Sequence, residues 1–139
     1  MQIEINAVPY VNDGHKMIRI TSVANIMNPL PTGHIEHMLT EGLWDTGATN
    51  TYIPMDTAVK LGIELGDPVP VRMGVSSGKG TRFCRFFLGF QNGAVIPIEE
   101  GIAVPGMKTG LIIGMDVIGK GVTTIEPDGQ DGVRFTFTL

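Results

Sequence analysis

Residues 43–54 read LWDTGATNTYIP and place one carboxylate, Asp45, after an apolar lead and before Thr46 and Gly47, with a second apolar run beyond. A carboxylate at a strand end, beside a hydroxyl and a glycine, is partly desolvated yet still hydrogen-bonded. Such an acid does proton-transfer chemistry best in a pair, because two carboxylates held close together cannot both ionise and so share a proton. The ionised one takes a proton from water while the other polarises the carbonyl that the water attacks. Gly47 lets two such turns approach backbone to backbone, and the Thr46 hydroxyl can reach across to brace the opposing loop. One Asp-Thr-Gly is half of that machinery, and three residues match by chance too often to carry the reading alone.

Other reactive side chains stand in weaker patterns. His34-Ile-Glu-His37 holds two imidazoles and a carboxylate, but strand spacing sends the histidines to opposite faces and no third ligand is apparent, so no metal site and no cofactor are expected. Ser76 and Ser77 have no adjacent histidine to activate them. Asp116 reads as a cap or a partner near Gly114, and Glu99-Glu100 as a solvated turn. Cys84, the single cysteine, lies among Phe83, Phe86 and Phe87 and reads as a buried thiol without a redox role.

The elements that position Asp45 must be short. Nineteen glycines and nine prolines in 139 residues leave little room for long helices, whereas strands of about five to eight residues fit between them. Alternation predicts a strand over Met17–Ile26, a turn over Asn28–Gly33, a strand over Glu36–Trp44 that delivers Asp45 to its end, and another over Asn50–Pro54. In that last strand Thr51 and Ile53 face opposite to Tyr52. Pro54 starts and Gly62 stops a helix over Met55–Gly62. Strands are expected over Val69–Val75 and Thr81–Phe90, joined by the glycine-rich tip 76–80 in a hairpin. Val95–Ile98, Gly101–Val104 and Leu111–Ile113 continue the pattern, followed by one or two helical turns over Met115–Gly119. The chain ends with strands over Val122–Ile125 and Val133–Leu139, with a turn at Pro127–Gly129 between them.

Composition bounds the remaining possibilities. With 42% hydrophobic and 17% charged residues, the chain can bury a core and is expected to form a single domain over residues 1–139. A net charge of −4, with its basic residues scattered, argues against nucleic acid as a partner. Met1-Gln2-Ile3-Glu4 lacks the basic start and apolar core of a signal peptide, and no apolar run approaches the ~18 residues of a membrane span. The expectation is a cytoplasmic protein with no membrane partner.

The context of Asp45 carries a resemblance. LWDTGATNTYIPMDTAVKLGIEL, residues 43–65, is similar to the active-site segment of the retroviral-type (retropepsin-like) aspartic peptidases: apolar lead, Asp-Thr-Gly-Ala, a polar pair, an apolar strand, then a short helix ending in Leu-Gly. Downstream, GLIIGMDVIGKG, residues 110–121, resembles the family's second signature, two apolar residues and a glycine before a short helix. Between them, VRMGVSSGKGTRFCRFFLGF, residues 71–90, lies where that family places its flap hairpin. The resemblance spans about residues 17–125 and implies a closed, barrel-like all-β fold with a flap. It implies Asp45 as the catalytic aspartate with Thr46 and Gly47 as motif partners. It further implies Ala48, Ile112, Ile113 and Gly114 at the floor of a substrate cleft, and Met73, Gly74, Val75, Ser76, Ser77 and Gly78 in its cover. Trp44 is bulkier than the small aliphatic residue usual before the aspartate, and the flap tip is longer and more polar.

No second Asp-Thr-Gly or Asp-Ser-Gly occurs in the chain. The partner acid is therefore expected from a second copy, since a two-fold axis brings identical residues face to face. The expected species is a homodimer whose interface includes the Asp45 turns. The alternating C-terminal strand is a second interface candidate, with a core position equally open to it. The leading function is an aspartic endopeptidase acting on peptides. The alternatives are a catalytically inactive module that binds extended peptides and a structural domain in which Asp45 caps a turn. Trp44, Ile53, Met73, Val75 and Ile112 are the loose candidates for subsite walls.

Overall fold

The computed structural model describes residues 1–69 and 80–139. Strands β4 (Thr21–Pro29) and β5 (Ile35–Trp44) form a long antiparallel pair from Thr21 opposite Leu43 to Pro29 opposite Ile35. They follow three short N-terminal strands, β1 (Gln2–Ala7), β2 (Tyr10–Asn12) and β3 (His15–Met17). Strand β6 (Tyr52–Pro54) runs directly into helix α1 (Met55–Lys60), which Gly62 terminates in the left-handed region at φ 66°. Then come β7 (Leu65–Pro68), β8 (Arg82–Phe90), β9 (Val95–Val104), β10 (Leu111–Ile113), the short helix α2 (Met115–Ile118), β11 (Val122–Pro127) and β12 (Val133–Thr138). Among the described residues no helix is long and apolar enough to cross a membrane.

The central sheet has the order β4-β5-β10-β6-β9-β8, and β8 pairs back onto β4, so six strands close into a barrel with β7 attached outside β8. Closure removes the exposed edges that an open sheet would carry. Strand β10 inserts between β5 and β6, parallel to the first and antiparallel to the second. A chain leaving β5 must therefore step over the end of β10 before it can enter β6. That step is the 45–51 loop.

A second sheet, β1-β12-β11, covers one end of the barrel. Phe135 and Phe137 of β12 are fully buried, and their rings lie 5.1 and 5.2 Å from that of Trp44, which also stacks on Phe90 at 5.9 Å. Trp44 donates its indole N–H to Ser22 Oγ at 2.9 Å, so the ring is buried with its polar atom satisfied. The tryptophan thus joins barrel to terminal sheet; truncating one such aromatic costs about 3–5 kcal/mol.

Several boundaries differ from expectation. Residues 18–20 interrupt the first predicted strand, and Asn28 and Pro29 still pair with Glu36 and Ile35, beyond the rungs shared with β8, so the turn falls at 31–33. The two segments expected around Glu99-Glu100 are one strand with a register shift opposite Cys84 and Phe86. Gly101 is needed there because the Phe86 ring occupies the place of its side chain, while Glu99 pairs with Arg85 at 2.6 Å instead of lying in a turn. The C-terminal strand lies between β1 and β11 with Phe135 and Phe137 in the core, so of its two open readings it is core, and among the described residues β1 and β11 are the outer strands of that sheet. Residues 2–16, left unassigned by sequence, form β1 and, with Met17, a hairpin whose turn residues Asp13 and Gly14, both at positive φ, give the primed geometry favoured between twisted strands. Val69 donates its N–H to Thr81 O at 3.0 Å, and residues 70–79, on which most of the predicted flap hairpin's first strand and tip fall, lie outside the described residues.

Candidate active site

Asp45 is the first residue past β5 and extends the ladder by donating its backbone N–H to Ile113 O at 2.9 Å. Its carboxylate is fixed from the far side of the turn, where Gly47 N–H donates to Asp45 Oδ1 at 2.8 Å. A side chain on Gly47 would stand 3.2 Å from that same oxygen. Ala48 is buried, and its carbonyl accepts from Met115 N at 2.7 Å, while Thr49 O accepts from Asp116 N at 3.2 Å. The loop is therefore tied to the first turn of α2.

Gly114 makes that docking possible. A Cβ here would lie 2.8 Å from Ala48 O and still deeper inside the contact distance of Asn50 O, both backbone atoms that cannot swing away. Its N–H donates to the hydroxyl of Thr51 at 3.2 Å. Thr51, with no exposed surface, donates that hydroxyl to Asp116 Oδ1 at 2.7 Å and its backbone N–H to Asp116 Oδ2 at 2.9 Å. Asp116 Oδ1 also accepts from Val117 N at 3.0 Å. One carboxylate thus clamps the start of β6 to α2, and the clamp holds the glycine beneath the Asp45 turn. Hydrogen bonds to a charged acceptor are the stronger kind.

What faces outward is small and polar. Thr46 and Gly47 are exposed and Asp45 is half-buried, so the acid is open on the side away from β10 and α2. Of the residues expected around it, Ala48, Ile112, Ile113 and Gly114 are brought to the turn, with Ile113 buried beneath it and Ile112 half-exposed. Met73, Gly74, Val75, Ser76, Ser77 and Gly78 lie outside the described residues. Trp44 and Ile53 are not subsite walls, since both point into the core. Tyr52, on the opposite face of β6 from Ile53, is half-buried. Burial raises its phenol above the ordinary range, hydrogen bonding from the Asn50 backbone lowers it, and the nearby charges of Asp116 and Asp45 raise it further. The alternation already noted for Thr51, Tyr52 and Ile53 was the available signal; which face met the core was the missing part.

The weaker constellations stay outside the site. His34 lies 3.4 Å from Glu36 on exposed surface, and among the described residues no three potential ligands gather. Burial pushes the Cys84 thiol up to about 12, which leaves almost no thiolate near neutrality.

Comparison with known proteins agrees with this architecture. No protein-family model and no curated sequence matches the chain. A solved retropepsin-like aspartic protease from Rickettsia conorii superposes with a TM-score of 0.56 over 99% of this chain and 91% of its own, at 14% identity. The retroviral protease-like domain of Ddi1 from Leishmania major aligns over 84% of this chain and 92% of its own, with a TM-score of 0.48 and 22% identity. The first alignment takes in the N-terminal strands and β12, which the sequence resemblance left aside. A closed all-β barrel, an Asp-Thr-Gly turn over an apolar strand and glycine, and that superposition together give this chain the retropepsin-like aspartic protease fold.

Proposed function

We propose that the chain is an aspartic endopeptidase active as a homodimer, with Asp45 of each protomer forming one catalytic pair. The observation that carries this reading is the turn itself: an acid clamped from below by Ile113 and from the side by Gly47, yet open outward beside the exposed Thr46 and Gly47. Asp116 is no substitute partner, because both of its oxygens are engaged by Thr51 and Val117. A second Asp45 across a two-fold axis supplies the missing carboxylate. The pair shares one proton; the ionised member draws a proton from the attacking water while the other donates to the scissile carbonyl oxygen. An extended peptide lies across the β5-β10-β6 surface as an added strand.

β11 is one of the two outer strands of the terminal sheet, and its edge supports a place for the second copy. It is six residues long, and Val122 and Ile125 are 68% and 54% exposed. A long edge with apolar side chains is a pairing surface, and joining two such edges would make one continuous sheet across the two protomers.

The test is cleavage of a broad peptide library from about pH 3 to 8, comparing the wild type with Asp45→Asn, which keeps the shape and removes the ionisable acid. Cleavage that vanishes in the variant supports the pair. A folded, dimeric wild type that cuts nothing rejects it in favour of peptide binding.

A further inference from the structure

The register of the barrel aligns a row of side chains on one face: Leu43 opposite Ile112, Ile112 opposite Tyr52, and Tyr52 opposite Ile102. Because side chains alternate along a strand, the neighbouring Trp44, Ile113, Ile53 and Ala103 point the other way, and all four are buried in the core. Leu43, Ile112 and Tyr52 are each only partly buried. Asp45 follows Leu43 by two residues and is still in the ladder through Ile113, so it lies on the same face as this row. The row therefore crosses the sheet beside the Asp45 turn. At its far end Ile102 is sealed by a small apolar cluster with Val69 and Val104, against which Tyr52, Phe83 and Met107 pack.

Three members of this row are aliphatic, and Tyr52 alone ends in a polar group. Its phenolic O–H is a hydrogen-bond donor. Among the described residues no acceptor is bonded to it. Asp116, bonded to the adjacent Thr51, and Asp45, on the same face as Tyr52, set two carboxylates near the phenol, so a third anion brought there would be repelled. The ring also fills space that a valine or isoleucine would leave open.

We propose that Tyr52 is a specificity-determining residue beside the catalytic turn, shortening one substrate subsite and donating its hydroxyl to an uncharged side-chain acceptor, so that a carboxamide (Asn or Gln) is selected over aliphatic and acidic residues. This rests on the peptidase reading above and adds the side-chain class that one subsite takes. A buried donor left without its acceptor penalises the aliphatic competitor, which is why a single hydroxyl discriminates.

The experiment is a positional-scanning peptide library, with kcat/KM measured for matched Gln, Leu and Glu peptides at each position flanking the scissile bond. The wild type is compared with Tyr52→Phe, Tyr52→Val and Asp45→Asn. The wild type is expected to prefer Gln over Leu at one position, and Tyr52→Phe to reduce that ratio by about tenfold there and nowhere else. Tyr52→Val, which opens the space, is expected to raise cleavage of the Leu peptide at the same position. If Asp45→Asn abolishes cleavage while Tyr52→Phe, folded and dimeric, leaves every side-chain ratio unchanged, the Tyr52 assignment is overturned and the peptidase reading stands. If the wild type cuts no peptide, the peptidase reading fails and the assignment falls with it.

Discussion

Replacing Thr51 by valine would remove one hydroxyl from a site with no exposed surface while keeping the branched shape. Two hydrogen bonds disappear, the 2.7 Å donation to Asp116 Oδ1 and the 3.2 Å acceptance from Gly114 N. A hydrogen bond to a charged group contributes about 1.5–3 kcal/mol and a neutral one about 0.5–1.5 kcal/mol. Water cannot reach Gly114 N–H to replace the lost acceptor, so the expected loss is about 2–4 kcal/mol. For a domain of this size, each kcal/mol lowers Tm by very roughly 4 °C. Urea unfolding should show a lower midpoint at unchanged slope. Asp116→Asn disturbs the same clamp, since its amide must turn a donor toward Thr51 or Val117. The two changes in one chain should therefore cost less than the sum of each alone. A Thr51→Val chain within about 0.5 kcal/mol of wild type, or full additivity with Asp116→Asn, would refute the clamp.

The remaining predictions concern the turn, the edge and the thiol. Gly114→Ala places a Cβ against Asn50 O and Ala48 O and should lower Tm sharply, whereas Gly47→Ala meets only Asp45 Oδ1 at 3.2 Å and should keep the fold while impairing cleavage. Thermal unfolding and peptide turnover on both variants separate the two effects. Ile125→Lys, at a position 54% exposed on the β11 edge, should shift sedimentation from dimer toward monomer with the far-UV circular dichroism unchanged. Cys84, 3% exposed and with its thiol pushed up to about 12, should react with a disulfide reagent only as fast as the protein opens, so that urea accelerates labelling in step with unfolding.

Local patterns made much of this legible in advance. The β5 strand, the acid in the turn after it, the short helices and the helix-ending Gly62 follow from alternation, proline and glycine. The insertion of β10 between β5 and β6 has no local signature, since three apolar residues fit almost any buried strand, yet it is what forces the 45–51 loop over Gly114. Trp44 and Ile53 were assigned to the cleft because strand parity gives two faces without saying which is core. The aromatic packing of Phe135 and Phe137 decides that, through a contact distant in sequence. Strands β2 and β3 have three residues each, too few to show a period, although Asp13-Gly14 is a hairpin turn pair. Asp116 read as a cap or a partner near Gly114; that its partner is Thr51 required knowing that α2 meets the start of β6.

The central claim is that one catalytic pair is built from two chains. It is tested most directly by mixing wild type with increasing Asp45→Asn under conditions that allow subunit exchange. If each site needs Asp45 from both chains, an equal mixture keeps only about a quarter of its dimers fully wild type, and activity per wild-type chain should fall by about half. Activity that stays proportional to the wild-type chain, with exchange demonstrated, would mean that each chain works alone and would contradict the account.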